Sequence, residues 1–194
     1  MAIVGHSWGA MLALCYAAAH PGKAGPIGLV GCGTFDQAGR NQLEATIAER
    51  LDDDLRDRIR RVSTEAADPA DKFIKTFKLT RHVFDFDPIE PYVDKEEFEP
   101  FDLKAHDESW SDMRKLQDDG TYPGVFGAIE SPVLMLHGQY DPHPGKMIRD
   151  SLLPHIPQLE YHEFERCGHS PWIERSARAV FFSAICEWLE RNSS

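Results

Sequence analysis

The 194-residue sequence predicts an α/β fold, a parallel sheet covered by helices and interrupted by a helical insertion. Three observations predict it. Short apolar runs of strand length alternate with longer helical segments, the order that parallel crossovers require. Charge is segregated along the chain: residues 1–33 hold no acid and one base, and residues 34–125 hold 23 of the 32 acids with 14 bases. The remainder holds 9 acids and 6 bases, so a core is expected from 1–33 and 126–194, with 34–125 as an inserted charged unit. The third is composition: 42% hydrophobic with 27% charged residues is globular, and excludes a disordered or membrane-embedded chain.

Each element follows in order. Ala2-Ile3-Val4 is a short apolar strand. Trp8 to His20 is apolar almost all round, the pattern of a buried helix. His20-Pro21-Gly22 ends it, because a residue before proline avoids helical geometry. Ile27 to Val30 is a second buried strand, leading into the Gly31-Cys32-Gly33 loop. In the insertion, Leu43, Ile47, Leu51, Leu55, Ile59 and Val62 recur at helical spacing and form one apolar stripe. Asp52–Arg56, Asp54–Arg58 and Asp57–Arg61 are i,i+4 pairs on its wet side. Phe73, Phe77, Phe84 and Phe86 follow, then an acidic, proline-broken stretch from Pro88 to Pro100. Trp110, Met113 and Leu116 mark one more short amphipathic helix. Pro132 to His137 is a third buried strand, Met147 to Leu153 a helix, and Leu159 to Phe164 alternates as a fourth strand. Ile173 to Leu189 is a terminal helix, with Ile173, Ala177, Val180, Phe181, Ala184, Ile185 and Trp188 on its packed side.

The charge balance excludes some partners. A net charge of −11 offers no electrostatic reason to bind nucleic acid or an anionic membrane, whereas a small neutral or cationic partner is easily accommodated. No run is long enough to span a bilayer, and no base precedes the apolar run from Met11 to Ala19, so a signal peptide is not indicated. Cys15, Cys32, Cys167 and Cys186 contain no C-x-x-C pair. Reduced thiols in a cytoplasmic protein are the simplest expectation. Asp141 and His143 with His155 or His162 match no compact ligand spacing, so no metal and no cofactor are expected.

Chemistry is concentrated in three short motifs. Gly5-His6-Ser7-Trp8-Gly9 fits G-x-S-x-G directly after a strand and directly before a helix. Such a turn forces Ser7 into a strained conformation that lifts its hydroxyl out of the sheet, and Gly5 and Gly9 are expected to prevent collisions with the neighbouring strand and helix. The Trp8 backbone N–H, at the helix start, is the candidate oxyanion donor. A serine hydroxyl needs a base, and the base needs orienting. His137-Gly138-Gln139-Tyr140-Asp141-Pro142 places Asp141 after the third strand, and Cys167-Gly168-His169-Ser170-Pro171-Trp172 places His169 after the fourth. In a parallel sheet these three loops share one edge. His6, Phe84, Phe86, Trp110 and Trp172 are candidate pocket residues, and each is equally readable as packing.

The motifs GHSWG, HGQYDP and CGHSPW, in this order and spacing, resemble the α/β-hydrolase superfamily, within it the lidded lipase-like and proline-iminopeptidase-like enzymes. The resemblance implies Ser7 as nucleophile, His169 as general base, Asp141 as the acid that orients it, and residues 34–125 as a lid. It implies a serine hydrolase acting on a small ester or amide through an acyl-enzyme, without cofactor. Asp36 follows the second strand, where some lipases carry their acid, but a loop-capping role is the stronger reading and Asp141 is preferred. Serine at position 7 argues against haloalkane dehalogenases, which use Asp there.

The resemblance covers the chain but only the later half of the family fold, its strands five to eight. In the family roughly 80 residues of earlier strands and helices precede the elbow. A truncated, inactive form is therefore one expectation. A short protein that pairs with a second copy through its exposed first strand is another. The family's second oxyanion donor cannot be identified in this chain. Two rival functions remain open: a non-catalytic interaction module of hydrolase descent, and a cofactor-free haloperoxidase or perhydrolase using the same three residues.

Overall fold

The computed structural model describes residues 1–89 and 101–192. Four parallel strands form one sheet in the order β1 (Ile3–His6), β2 (Ile27–Val30), β3 (Val133–Gly138) and β4 (Leu159–Phe164). Between β1 and β2 runs α1 (Trp8–Ala19). Between β2 and β3 lie α2 (Gln37–Arg50), α3 (Asp53–Glu65), α4 (Pro69–Thr80), α5 (Leu103–Asp118) and the short α6 (Thr121–Gly124). Then α7 (Gly145–Leu152) crosses to β4, and α8 (Arg178–Asn192) follows it. No helix among the described residues is long and apolar enough to cross a membrane.

The central strands β2 and β3 are buried on both faces, and two cores result. On one face Ala10, Leu14, Ile27, Leu29, Val133, Met135, Ile148 and Leu152 join α1 and α7 to the sheet. On the other, Val30, Leu134, Leu136 and Phe164 meet Phe181, Ile185 and Trp188 of α8. Alternate residues of β2 and β3 divide between these cores, as the strand period of two demands. The expected strands and crossovers are thus present.

Several local expectations change. The stripe from Leu43 to Val62 is cut into two helices at Leu51, whose backbone is extended. Asp52 caps α3, its carboxylate accepting from Leu55 N at 2.8 Å, and a capping aspartate is a helix start signal stronger than the periodicity running through it. Of the three expected charge pairs only Asp54–Arg58 forms at i,i+4, at 3.8 Å. Arg56 and Arg60 turn back instead to Asp53 and Asp57, at 3.2 and 2.8 Å. The terminal helix begins at Arg178 rather than Ile173, because residues 171–177 form turns that serve the site, and Val180 is 52% exposed rather than packed. Helix α1 is not buried all round, since Leu12 and Tyr16 are exposed. The acidic stretch expected from Pro88 to Pro100 falls, from residue 90 onward, outside the described residues.

The insertion is tied to the core by polar side chains. Arg40 on α2 donates to Gln117 and Asp118 on α5, and Gln117 Nε2 donates to Thr34 O at 3.0 Å, just beyond β2. Arg50 at the end of α2 donates to Val83 O at 2.8 Å and lies 3.7 Å over the Tyr140 ring, on the loop that carries Asp141.

Candidate active site

Ser7 sits between β1 and α1 with φ 54° and ψ −119°, a left-handed backbone that a residue with a Cβ adopts at a cost. Its own N–H donates to Val30 O at 2.9 Å, which pins the turn to β2. Gly5 permits the turn, because a Cβ there would lie 2.2 Å from Gly9 O. Gly9 does not share this role: a Cβ there meets nothing within 4 Å among the described residues, contrary to expectation. Trp8 opens α1, where a helix has no acceptor of its own for the N–H. Among the described residues no hydrogen bond joins Ser7 Oγ to His169.

Asp141 and His169 meet at the carboxyl edge of the sheet. Gln139 N and Tyr140 N donate to Phe164 O and Cys167 O at 2.9 and 2.8 Å, which zips the loop after β3 to the loop after β4. This brings His169 Nδ1–H to Asp141 Oδ2 at 2.7 Å, with the Asp141 side chain 0% exposed. Two further histidines face the same carboxylate. His143 Nδ1–H donates to Oδ1 at 2.9 Å, and His137 Nε2 lies 3.3 Å from Oδ2 while donating to His143 O at 3.0 Å. Burial alone would push the Asp141 carboxyl up. The pull of His169, His143 and His137, with the His143 hydrogen bond, outweighs it and holds the group well below the usual carboxylate range.

His169 is boxed in by rings. His143 stacks on it with centroids 4.8 Å apart and planes 22° apart, His6 lies 4.6 Å away and Phe84 5.7 Å away. His6 also donates from Nε2 to His169 O at 3.2 Å. Burial, then the neighbouring His169, pushes His6 down to about 4, so this ring is neutral near pH 7. The nitrogen and oxygen atoms of Asp141, His143 and His169 lie within 4.8 Å of one another. Yet the two imidazole planes are nearly parallel, so their in-plane lone pairs do not converge on one point. The geometry suits two side-by-side N–H···O bonds.

A cavity of about 1070 Å3 opens beside this cluster, walled by α2, α4, α5, the Gly33-Thr34 loop and His143. Trp110 lines it and also packs at a tilt against Trp8, with centroids 4.4 Å apart. The other candidate pocket residues lie elsewhere. Phe84 covers the His169 and His143 rings, and Trp172 packs edge-on against His6 at 4.6 Å. Phe86 is 41% exposed and rests on Tyr140. Asp36 caps α2, accepting from Gly39 N at 2.6 Å. The Cys167 thiol donates to Gly168 O at 3.4 Å, and burial pushes it up to about 12.

Residues 2–181 match the Alpha/beta hydrolase family. The chain belongs to the alpha/beta hydrolase family. Among solved structures this alpha/beta hydrolase is similar to VinJ, at 18% identity and TM-score 0.61, covering 98% of this chain and 66% of that one. It is similar to a monoacylglycerol lipase of Paleococcus ferrophilus, at 15% identity and TM-score 0.59, covering 97% and 67%. It is similar also to a proline iminopeptidase of Mycobacterium smegmatis, at 16% identity and TM-score 0.57, covering 98% and 65%. At such identities the likeness is one of fold. The chain spans about two thirds of the length of these structures. The sequence matches none of the curated proteins.

Motif reading missed two residues of this alpha/beta hydrolase. His143 entered only as one member of a rejected metal set, because no spacing rule says that it turns back onto Asp141. Glu174 passed as an ordinary helix residue. It is 0% exposed, and its carboxylate accepts from Phe86 N, Asp87 N and Gly168 N at 2.8, 2.7 and 2.8 Å. With His169 N donating to Phe84 O at 2.8 Å, it clasps residues 84–87 of the insertion to the loop that carries His169. An acid five residues after the histidine, in a stretch with Pro171 at its start, was the one available signal.

Proposed function

We propose that this chain carries a serine-hydrolase site in which Ser7 is the nucleophile, His169 the general base and Asp141 its orienting acid. The observation that carries the reading is the 2.7 Å contact between His169 Nδ1–H and a fully enclosed Asp141, at the sheet edge where Ser7 has a left-handed backbone. A buried carboxylate fixes the tautomer in which Nε2 is the free, basic nitrogen. Ser7 Oγ then attacks the carbonyl carbon of a small ester or amide while His169 Nε2 takes its proton. The carbonyl oxygen becomes an oxyanion facing the Trp8 N–H. His169 returns the proton to the leaving alcohol or amine, and a water, activated by the same nitrogen, releases the acyl group.

Residues 34–125 serve in this reading as the lid and 1–33 with 126–194 as the core, in support of which the large cavity lies between insertion helices and the loop bearing His143. The open hydrogen bond between Ser7 and His169 fits a resting site, where such contacts commonly tighten on substrate binding. The test is labelling of the folded chain with a serine-directed fluorophosphonate. The expected result is one adduct, lost in Ser7→Ala. A folded, unlabelled wild-type chain would refute the reading.

A second reading has one observation in its favour. Strand β1 is an edge strand among the described residues and Val4 on it is 50% exposed, which suits an interaction module that pairs a partner's strand. Absence of labelling together with dimerisation would favour it.

A further inference from the structure

A carboxylate that orients a base has two oxygens, and the reaction needs only one. At Asp141 the second is taken. Oδ1 accepts from the Nδ1–H of His143 and from the His143 backbone N–H, both at 2.9 Å, and Oδ2 accepts from His169 at 2.7 Å. The two rings lie face to face, 4.8 Å apart with planes 22° apart, so their N–H bonds run side by side to one carboxylate. His143 is fixed from behind as well, its carbonyl accepting from His137 Nε2 at 3.0 Å. It is also a wall of the cavity, while the Asp141 side chain it covers is 0% exposed.

We propose that His143 is a positioning residue for the Ser7, His169 and Asp141 set, holding Oδ1 of Asp141 so that the carboxylate charge is divided between two imidazoles and only Oδ2 is offered to His169. This rests on the hydrolase reading above. Two consequences follow physically. Anchored at both oxygens, the carboxylate cannot rotate, so the direction of the His169 N–H bond is fixed. A carboxylate whose second oxygen already accepts from His143 also has less unshared charge to place on His169. The titratable groups that face these rings include His6 and His137 from the strand ends, and Cys32 and Cys167, both pushed up by burial. Asp85 and Glu174 lie behind the His169 loop, and His106 and Asp107 stand on the cavity wall.

The experiment replaces the N–H and keeps the ring. In His143→Phe the side-chain donor to Oδ1 is lost while the backbone N–H at position 143 and His137 remain, so more of the Asp141 charge falls on His169. The acid limb of the fluorophosphonate labelling profile then moves to higher pH by about one unit, a tenfold change in proton concentration. His143→Asn restores a donor to Oδ1 and brings the limb back toward the wild-type position. A purely packing role predicts the reverse order, with Phe near wild type and Asn displaced, and that result overturns the proposal. Proton NMR of the wild-type chain with labelled histidines supplies a readout that needs neither activity nor a stable variant. Two downfield imidazole N–H resonances, both removed by Asp141→Ala, are expected, and a single one overturns the proposal. Two resonances in a chain that takes no fluorophosphonate would sink the hydrolase reading and leave the shared carboxylate standing.

Discussion

Glu174→Ala removes the clasp between the insertion and the His169 loop, and its effect can be worked from the contacts. The carboxylate is 0% exposed and accepts three backbone N–H groups at 2.7 to 2.8 Å. Hydrogen bonds to a charged group are worth about 1.5–3 kcal/mol each, but part of that offsets the burial of the charge. Truncation leaves Phe86 N, Asp87 N and Gly168 N without their acceptor, at up to about 3 kcal/mol for the buried Gly168 N and about 1–2 kcal/mol for each of the part-buried others. Water entering the vacated space recovers some of this, so a loss of about 4 kcal/mol is expected, against a total stability of about 5–15 kcal/mol. Glu174→Gln keeps an acceptor oxygen where Oε1 serves two of the donors, and sets an amide against Asp87 N. About half the loss is expected for it.

Urea unfolding followed by circular dichroism measures this. With a slope of about 2 kcal/mol per molar, the alanine variant should lose about 2 M in its midpoint and the glutamine variant about 1 M. Amide exchange should quicken first at Phe86, Asp87 and Gly168 and last in β3. Fluorophosphonate labelling should slow in both variants, because Gly168 precedes the base and His169 N is held by Phe84 O in the same clasp. A midpoint within about 0.3 M of wild type for Glu174→Ala would refute the reasoning, since three orphaned donors, Gly168 N among them buried, cannot be that cheap.

Other predictions concern the site and its supports. Asp141→Asn should leave the fold intact and lower the labelling rate by about 10⁴-fold, because an amide can no longer fix the base tautomer. A loss below tenfold would make another group the orienting acid. Gly5→Ala should cost about 3 kcal/mol or more, since its Cβ falls 2.2 Å from Gly9 O, whereas Gly9→Ala meets open space and should melt within a few degrees of wild type. Stability should also fall with acid in two stages. His6 has a folded value of about 4 against an ordinary 6.5. The unfolded chain therefore binds more protons between those values, and up to about 3 kcal/mol is lost as pH drops through that window. The depressed Asp141 adds its loss only below about 3.8, as the folded carboxylate is finally protonated. Urea midpoints measured from pH 7 to pH 4 check the first stage, which His6→Phe should reduce but not abolish, because burial also holds His137 down.

What was legible in the sequence is what local chemistry dictates. Strands announce themselves by apolar runs, a serine turn by its glycine before a helix, and loops at one sheet edge by parallel connections. Ser7, Asp141 and His169 could therefore be put at one edge before any distance was known. Residues whose role depends on which way a side chain turns were not legible. Asp52 interrupts a perfect hydrophobic stripe because its carboxylate caps α3, a competition that periodicity does not contain. Phe86 and Trp172 are aromatic neighbours of motif residues, yet they face Tyr140 and His6 rather than the cavity.

The two missed residues share a cause. His143 and Glu174 each act on a partner fixed by long-range folding: Asp141 is brought to His169 across 28 residues, and Glu174 reaches Phe86 across 88. Both are polar side chains in turns just after motif residues, where a reading by type sees solvated surface. Burial changes that inference. A carboxylate with no exposure must have its oxygens satisfied, and three backbone N–H groups or three imidazoles are costly ways to satisfy one acid unless the atoms so ordered have to stay in place. At Asp141 those atoms include the His169 ring, and at Glu174 the N–H of Gly168, the residue before it. In the proposed site His169 is thus held at its ring by Asp141 and through the preceding Gly168 by Glu174, while Ser7 is held by its own turn and by Val30 O. In that reading the base and the nucleophile are set independently of one another, and substrate binding draws them together.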